Sequence, residues 1–145
     1  AAFSYGDKVL LERHVRGRDL AVSVLDGEAL PVVEAVPTEE AFYDFAARYE
    51  IGRTDYVCPA DVSDSVTARA QQLAVDAYRL LGCTGFARVD LMCDRDSDDL
   101  QLLEVNPVPG LTDTSLLPMA ADAAGIAFEE LVGRVLDLAA SPRPA

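Results

Sequence analysis

Phe86-Ala87-Arg88-Val89-Asp90-Leu91-Met92 and, across an acidic turn, Leu102-Leu103-Glu104-Val105-Asn106 are the two segments on which the fold turns. In a strand, alternate side chains share a face. Arg88, Asp90 and Met92 therefore lie on one side of the first segment, and Ala87, Val89 and Leu91 on the other. In the second, Glu104 and Asn106 oppose Leu103 and Val105. A hairpin centred on Ser97 sets Asp90 opposite Glu104 and Arg88 opposite Asn106, and brings the two apolar sides together, which fixes the register. Two carboxylates then face each other on a half-buried surface, a destabilising arrangement by itself. Three resolutions are open: one acid is protonated, a nearby cation such as Arg88 neutralises both in a salt-bridge cluster, or a divalent metal sits between them. With Asn106 as a third oxygen and no Cys or His beside it, the donor set suits Mg²⁺ or Mn²⁺, whose remaining ligands are often substrate phosphates. Arg88 beside that set can stabilise an oxyanion or a phosphoryl group in transfer. The turn Asp94-Arg95-Asp96-Ser97-Asp98-Asp99 is not a calcium loop, because Asp99 stands where glycine is needed and Val105 where the bidentate Glu belongs.

Outward from this hairpin, the upstream chain predicts strands over Val9–His14, Asp19–Leu25 and Ala29–Val36, with Asp26-Gly27 as a two-residue turn. Residues 37–59 hold no clean period yet carry Phe42, Tyr43, Phe45, Tyr49 and Tyr56, a loading that points to a lid; a short helix over Glu39–Tyr49 is the alternative. Ser63 or Ser65 can cap a helix to Leu81 whose face is Val66, Ala70, Leu73, Ala77, Leu80 and Leu81, ended by Gly82. Helices over Leu117–Ala124 and Ala127–Ala140 follow, the last with Phe128, Leu131, Val132, Val135, Leu136 and Leu138 as its stripe, and residues 141–145 read as a frayed tail. Strands, helix, hairpin and helices in that order predict an α+β fold with a mostly antiparallel sheet.

The 145 residues carry a net charge of −13, with 50% hydrophobic residues. Half-apolar composition excludes global disorder. The acidic balance argues against nucleic acid or an anionic membrane as partner, since both need a basic footprint, and no stretch reaches the apolar length of a membrane span. Cys58, Cys83 and Cys93, odd in number and without a C-x-x-C spacing, read as buried thiols in a reducing, cytoplasmic setting. Walker and Rossmann glycine patterns are missing, as is a nucleophile elbow. His14, the single histidine, is expected to pack within its strand. Lys8 is the only lysine.

Several segments together resemble the C-terminal part of the D-alanine–D-alanine ligases, in the ATP-grasp superfamily. They are Leu11-Glu12-Arg13-His14-Val15-Arg16-Gly17-Arg18-Asp19, Ala41-Phe42-Tyr43-Asp44-Phe45-Ala46-Ala47-Arg48-Tyr49, Tyr56-Val57-Cys58-Pro59-Ala60 and Leu81-Gly82-Cys83-Thr84-Gly85-Phe86-Ala87-Arg88-Val89-Asp90. The most specific is Leu103-Glu104-Val105-Asn106-Pro107-Val108-Pro109-Gly110-Leu111-Thr112-Asp113-Thr114-Ser115-Leu116-Leu117-Pro118. Any one is weak, but they run through nearly the whole chain in the family's order.

The resemblance implies an ATP- and Mg²⁺-dependent (or Mn²⁺-dependent) carboxylate–amine ligase. It would form D-alanyl-D-alanine through an acyl-phosphate for peptidoglycan precursors, in the cytoplasm and as a homodimer when full length. Asp90, Glu104 and Asn106 would hold two ions. Glu12, the Arg13 backbone and the Val15 amide would read the adenine edge, with Phe42, Met92 and Leu103 around the base and Asp19 on the ribose. Arg88 and the Gly110 amide would form the oxyanion hole. Ser115 and the Leu116 amide would take the carboxylate of the second amino acid. Arg48 in the lid would reach the γ-phosphate and Tyr49 the substrate side.

The sequence also departs from that pattern. Asp19 stands where Glu is usual, Arg48 where Lys is common, and Ala46, Phe45 and Pro107 replace commoner residues, which leaves the acceptor open among D-alanine, D-serine and D-lactate. The family's first D-amino-acid site, two phosphate-binding lysines and glycine-rich loop have no counterpart here. The expectation is a single ATP-grasp C-terminal lobe over 1–145, a piece of a longer ligase and inactive alone. The alternatives are a related ATP-grasp amino-acid ligase with another acceptor, or a non-catalytic nucleotide- or metal-binding module.

Overall fold

The structure, a computed structural model, describes residues 2–37, 54–112 and 114–140. A 3₁₀ turn at Ala2–Ser4 precedes β1 (Gly17–Leu25), β2 (Glu28–Ala29), β3 (Val33–Pro37) and β4 (Thr54–Val57). Helix α1 (Asp64–Leu80), strands β5 (Phe86–Asp94) and β6 (Leu100–Asn106), and helices α2 (Leu116–Ala123) and α3 (Phe128–Ala140) follow. The strands form one antiparallel sheet in the order β4-β3-β1-β5-β6, with β2 paired to the end of β1. The α+β class read from the sequence is the class observed.

Each face of the sheet carries its own core. On one, Leu20, Val22 and Val24 of β1 and Ala87, Val89 and Leu91 of β5 meet Val66, Ala70, Ala74 and Tyr78 of α1. On the other, Ala21 and Leu25 of β1 join Val33, then Leu117, Ala120 and Ala121 of α2 and Leu131 of α3. Central β1 is thus covered on both sides, which is why it reads as a nearly continuous apolar run. The Arg18 guanidinium lies on the α1 side and grips Glu34 with Nε and Nη2, at 2.6 and 2.5 Å. That hydrogen bond holds the Arg18 pKa above its usual value.

Local chemistry sets the element ends. The Ser63 hydroxyl accepts the Val66 N–H and caps α1. At its other end Gly82, at φ +67°, lets Gly82 N–H reach the Arg79 carbonyl and Cys83 N–H the Tyr78 carbonyl, a Schellman closure. In the β5–β6 turn, Asp94 Oδ1 accepts the N–H groups of Asp96 and Ser97. Those two backbone donors hold its carboxyl below the ordinary value.

Six expectations need correction. Residues of Val9–His14 form no strand: Leu10 and Leu11 are 81% and 93% exposed. Three consecutive apolar residues followed by three polar ones offer no alternating face, and His14 is exposed instead of packed. The single strand expected over Ala29–Val36 is two, because Pro31 has no N–H to give the ladder. The stranded backbone groups there are satisfied elsewhere: Leu30 N–H donates to Ser23 O, Gln71 Nε2 donates to Leu30 O, and Ala60 N–H donates to Val32 O. On α1, Leu80 and Leu81 are exposed where the Schellman turn leads away, and Ala74 and Tyr78 are buried in their place. On α3 only Leu131 is fully covered; Val135 and Leu138 pack at the second core, while Phe128 and Leu136 stay exposed. Of the thiols, Cys93 is buried but Cys58 and Cys83 are half-buried, all three free. Burial pushes the Cys58 and Cys93 thiols up, with Asp122 adding to the effect at Cys58. The segment read as a lid over 37–59 contributes β4; its residues 38–53 lie outside the described residues, as does the tail 141–145.

Candidate functional site

The site is built on the sheet face that α2 partly covers. Strands β5 and β6 pair Arg88 with Asn106 and Asp90 with Glu104, in the register expected from the sequence. Past that point a bulge intervenes: Leu91 pairs with Leu102, so Leu103 has no partner and is 51% exposed. Because β1 sets Ala21 opposite Asp90 and Ser23 opposite Arg88, two rungs cross the sheet, Ala21–Asp90–Glu104 and Ser23–Arg88–Asn106.

Asp90 is buried, and the Arg88 guanidinium holds it with Nε on Oδ1 and Nη2 on Oδ2, both at 2.7 Å. Arg88 thus brings a neighbouring cation to one of the paired acids. A bidentate guanidinium leaves lone pairs on both carboxylate oxygens, so Asp90 keeps capacity for a further cation. Glu104 is exposed across from it, and Asn106 Oδ1 accepts the Val108 N–H at 3.0 Å, starting the loop that returns toward α2.

That loop closes through Ser115. Its backbone has the extended N-cap geometry of α2, yet its hydroxyl makes no cap bond; instead Ser115 Oγ accepts the Thr112 N–H at 3.1 Å. Sheet and loop enclose a cavity of about 410 Å³. Its sheet floor includes Asp19, Arg88, Asp90, Glu104 and Asn106, and its loop rim includes Gly110, Ser115 and Leu116. These eight residues, drawn from three strands, a loop and a helix start, are all among those singled out from the sequence.

The other expected residues lie elsewhere. Met92 is half-buried on the cavity side of the sheet, opposite Asp19, but does not line the cavity; nor does Leu103 in the bulge. Glu12, Arg13 and Val15 belong to the irregular segment before β1 and are also outside it. Phe42, Arg48 and Tyr49 lie outside the described residues. Tyr56, one of the aromatics read as loading a lid, lines the cavity, as do Thr112 and Thr114, to which the sequence reading gave no site role. Tyr56 sits on four-residue β4 opposite Ala35, too short a strand to show its alternation.

Chemically, two carboxylates and an amide oxygen at adjoining rungs form an all-oxygen set of the kind that Mg²⁺ takes, a few protein ligands with the rest left to substrate. The residues present fit such an ion. Among the described residues no three His, Cys, Asp or Glu side chains cluster for a metal, and Asn106 adds an amide oxygen at the neighbouring rung. Among the described residues, three acids on the cavity wall against one guanidinium give it a negative field.

A family model described as "D-ala D-ala ligase C-terminus" matches residues 1–137. The D-alanine–D-alanine ligase of Pseudoalteromonas translucida is 46% identical over 136 residues, covering 94% of this chain and 44% of that protein. That of Marinobacter nauticus is 48% identical over 136 residues, covering 94% and 41%. Among solved structures, the D-alanine–D-alanine ligase from Bacillus anthracis complexed with ATP superposes with TM-score 0.73 at 28% identity, covering 88% of this chain and 39% of that one. The Coxiella burnetii enzyme gives 0.76 at 28%, covering 94% and 36%. The chain therefore spans less than half the length of these relatives.

Proposed function

Because the chain belongs to the family of the D-ala D-ala ligase C-terminus, we propose that it is the nucleotide- and metal-binding lobe of an ATP-dependent ligase that joins two D-alanines through an acyl-phosphate. The observation that carries this reading is the pair of rungs, Asp90–Glu104 and Arg88–Asn106, opening into the cavity that the Ser115 end of α2 also borders.

In this reading Asp90, Glu104 and Asn106 hold Mg²⁺ or Mn²⁺, which when bound supplies positive charge against the phosphates of ATP. Asp19 takes the ribose hydroxyls. Glu12, Arg13 and Val15 address the adenine edge with Phe42, Met92 and Leu103 about the base, and Arg48 and Tyr49 serve from the lid. Arg88 and the Gly110 N–H stabilise the oxyanion that forms when the amine of one D-alanine attacks the phosphorylated carboxyl of the other. Ser115 and the Leu116 N–H, at the positive end of α2, hold the carboxylate of the attacking D-alanine. The complete ligase works in the cytoplasm, as a homodimer, on the path to peptidoglycan precursors. The chain described here is one lobe of it and does not turn over alone.

The test is D-alanine-dependent ADP and phosphate release by the complete ligase carrying this chain. Asp90→Asn or Glu104→Gln should lower it well beyond tenfold. Near-wild-type ligation by either variant would overturn the metal-holding role.

A further inference from the structure

We propose that Thr112 is a positioning residue for the acceptor: it fixes the Ser115 hydroxyl so that its single proton points away from the loop, toward an anionic carboxylate. The inference rests on the ligase reading above, since it gives Ser115 its ligand.

The geometry is a closed set of contacts. Thr112 N–H donates to Ser115 Oγ at 3.1 Å, and Ser115 N–H donates back to the Thr112 carbonyl at 2.8 Å. The two hydroxyl oxygens are 2.9 Å apart, and Thr112 Oγ1 is 3.4 Å from Thr114 Oγ1. A hydroxyl has one proton and two lone pairs. With the Thr112 amide on one lone pair and the Thr112 hydroxyl donating to the other, Ser115 has only its proton left to offer. Gly110 makes room for this orientation, because a Cβ there would lie 2.7 Å from Ser115 Oγ. The same turn of the side chain explains why Ser115 does not cap α2 with its hydroxyl. A serine locked as donor beside a helix start selects an anion and refuses a cation. An anion in turn favours the orientation in which Thr114, Thr112 and Ser115 each donate onward, so the three hydroxyls strengthen one another.

Thr112→Val keeps the shape and the backbone N–H but removes the hydroxyl; Thr112→Ser returns it. In the complete ligase, Thr112→Val should raise the acceptor KM about fivefold, the worth of one neutral hydrogen bond. kcat and the KM for ATP should stay within about twofold, and Thr112→Ser should restore the acceptor KM. A purely structural role would instead lower thermal stability and kcat together, without that split. An acceptor KM unchanged in Thr112→Val, or not restored by Thr112→Ser, overturns the proposal while leaving the ligase reading intact. A second arm needs no turnover: sodium acetate is titrated into the ¹⁵N-labelled protein and followed at the Ser115 and Leu116 amides. Saturable shifts in wild type that weaken severalfold in Thr112→Val support the positioning role even if the protein forms no dipeptide. Equal shifts in both proteins sink it.

Discussion

Ser23 occupies the middle strand of the sheet, 1% exposed, directly opposite Arg88, and its hydroxyl has no hydrogen-bond partner among the described residues. A buried donor left unmade costs about 1–3 kcal/mol, and Ser23→Ala removes it with little change of volume. The variant should therefore be more stable by about 1 kcal/mol, read as a higher urea midpoint with an unchanged slope; a lower midpoint would mean that the hydroxyl has a partner in solution. Ser23 also marks a limit of the sequence. From the residues alone, Ala-Val-Ser-Val-Leu in β1 reads as an apolar strand, and nothing in it tells a tolerated serine from a bonded one. Asp90 is the opposite case. Its partner Glu104 followed from counting across one short turn, because the pleat permits only one alternation with both apolar sides inward. That Arg88 folds its guanidinium back onto Asp90 did not follow, since it is a rotamer that no spacing encodes.

At the scale of elements, the start of β1 lies close against the end of β5. Gly17 pairs with Asp94, and a Cβ on Gly17 would come 2.0 Å from the Cys93 carbonyl oxygen. That atom is backbone in a central ladder, so it cannot step aside without parting the strands. Gly17→Ala should destabilise the protein by about 2–4 kcal/mol, and amide exchange should quicken first along the β1–β5 pairing; a variant as stable as wild type would show that the two strands separate there at no cost. Elements whose ends are set by local chemistry were legible in the residues: Ser63 opening α1, Gly82 closing it, and the two hairpin strands. Those that depend on a partner were not. Val9–His14 has strand-forming residues but pairs with no strand among the described residues. The Leu103 bulge shifts one register inside an otherwise regular hairpin. The lower part of the aromatic-rich segment yields β4 only because β3 offers it an edge from Glu34 to Pro37.

For the whole molecule, the net charge of −13 is felt most where the proposed ligand is itself anionic. Asp19, Asp90 and Glu104 line the cavity, and the one guanidinium among its described lining residues is held on Asp90. A triphosphate brought there alone meets like charges, each contact costing about 1 kcal/mol in bulk water and about 4 at the dielectric of a protein surface. A divalent ion held by Asp90, Glu104 and Asn106 would cancel that negative charge. Removing Mg²⁺ with EDTA should therefore weaken ATP binding at least about a hundredfold, which two decades of affinity make about 2.8 kcal/mol, within the reach of a single such contact. Glu104→Gln separates this from a general loss of structure, because its effect should invert. With Mg²⁺ present the variant binds ATP more weakly than wild type, having lost a ligand to the ion. In EDTA it binds ATP more tightly, having lost a repelling charge. Titration calorimetry of both proteins in both buffers reads all four affinities. A Glu104→Gln protein weaker than wild type in both would refer the residue's role to the fold, and equal wild-type affinities in the two buffers would remove the ion from the nucleotide site.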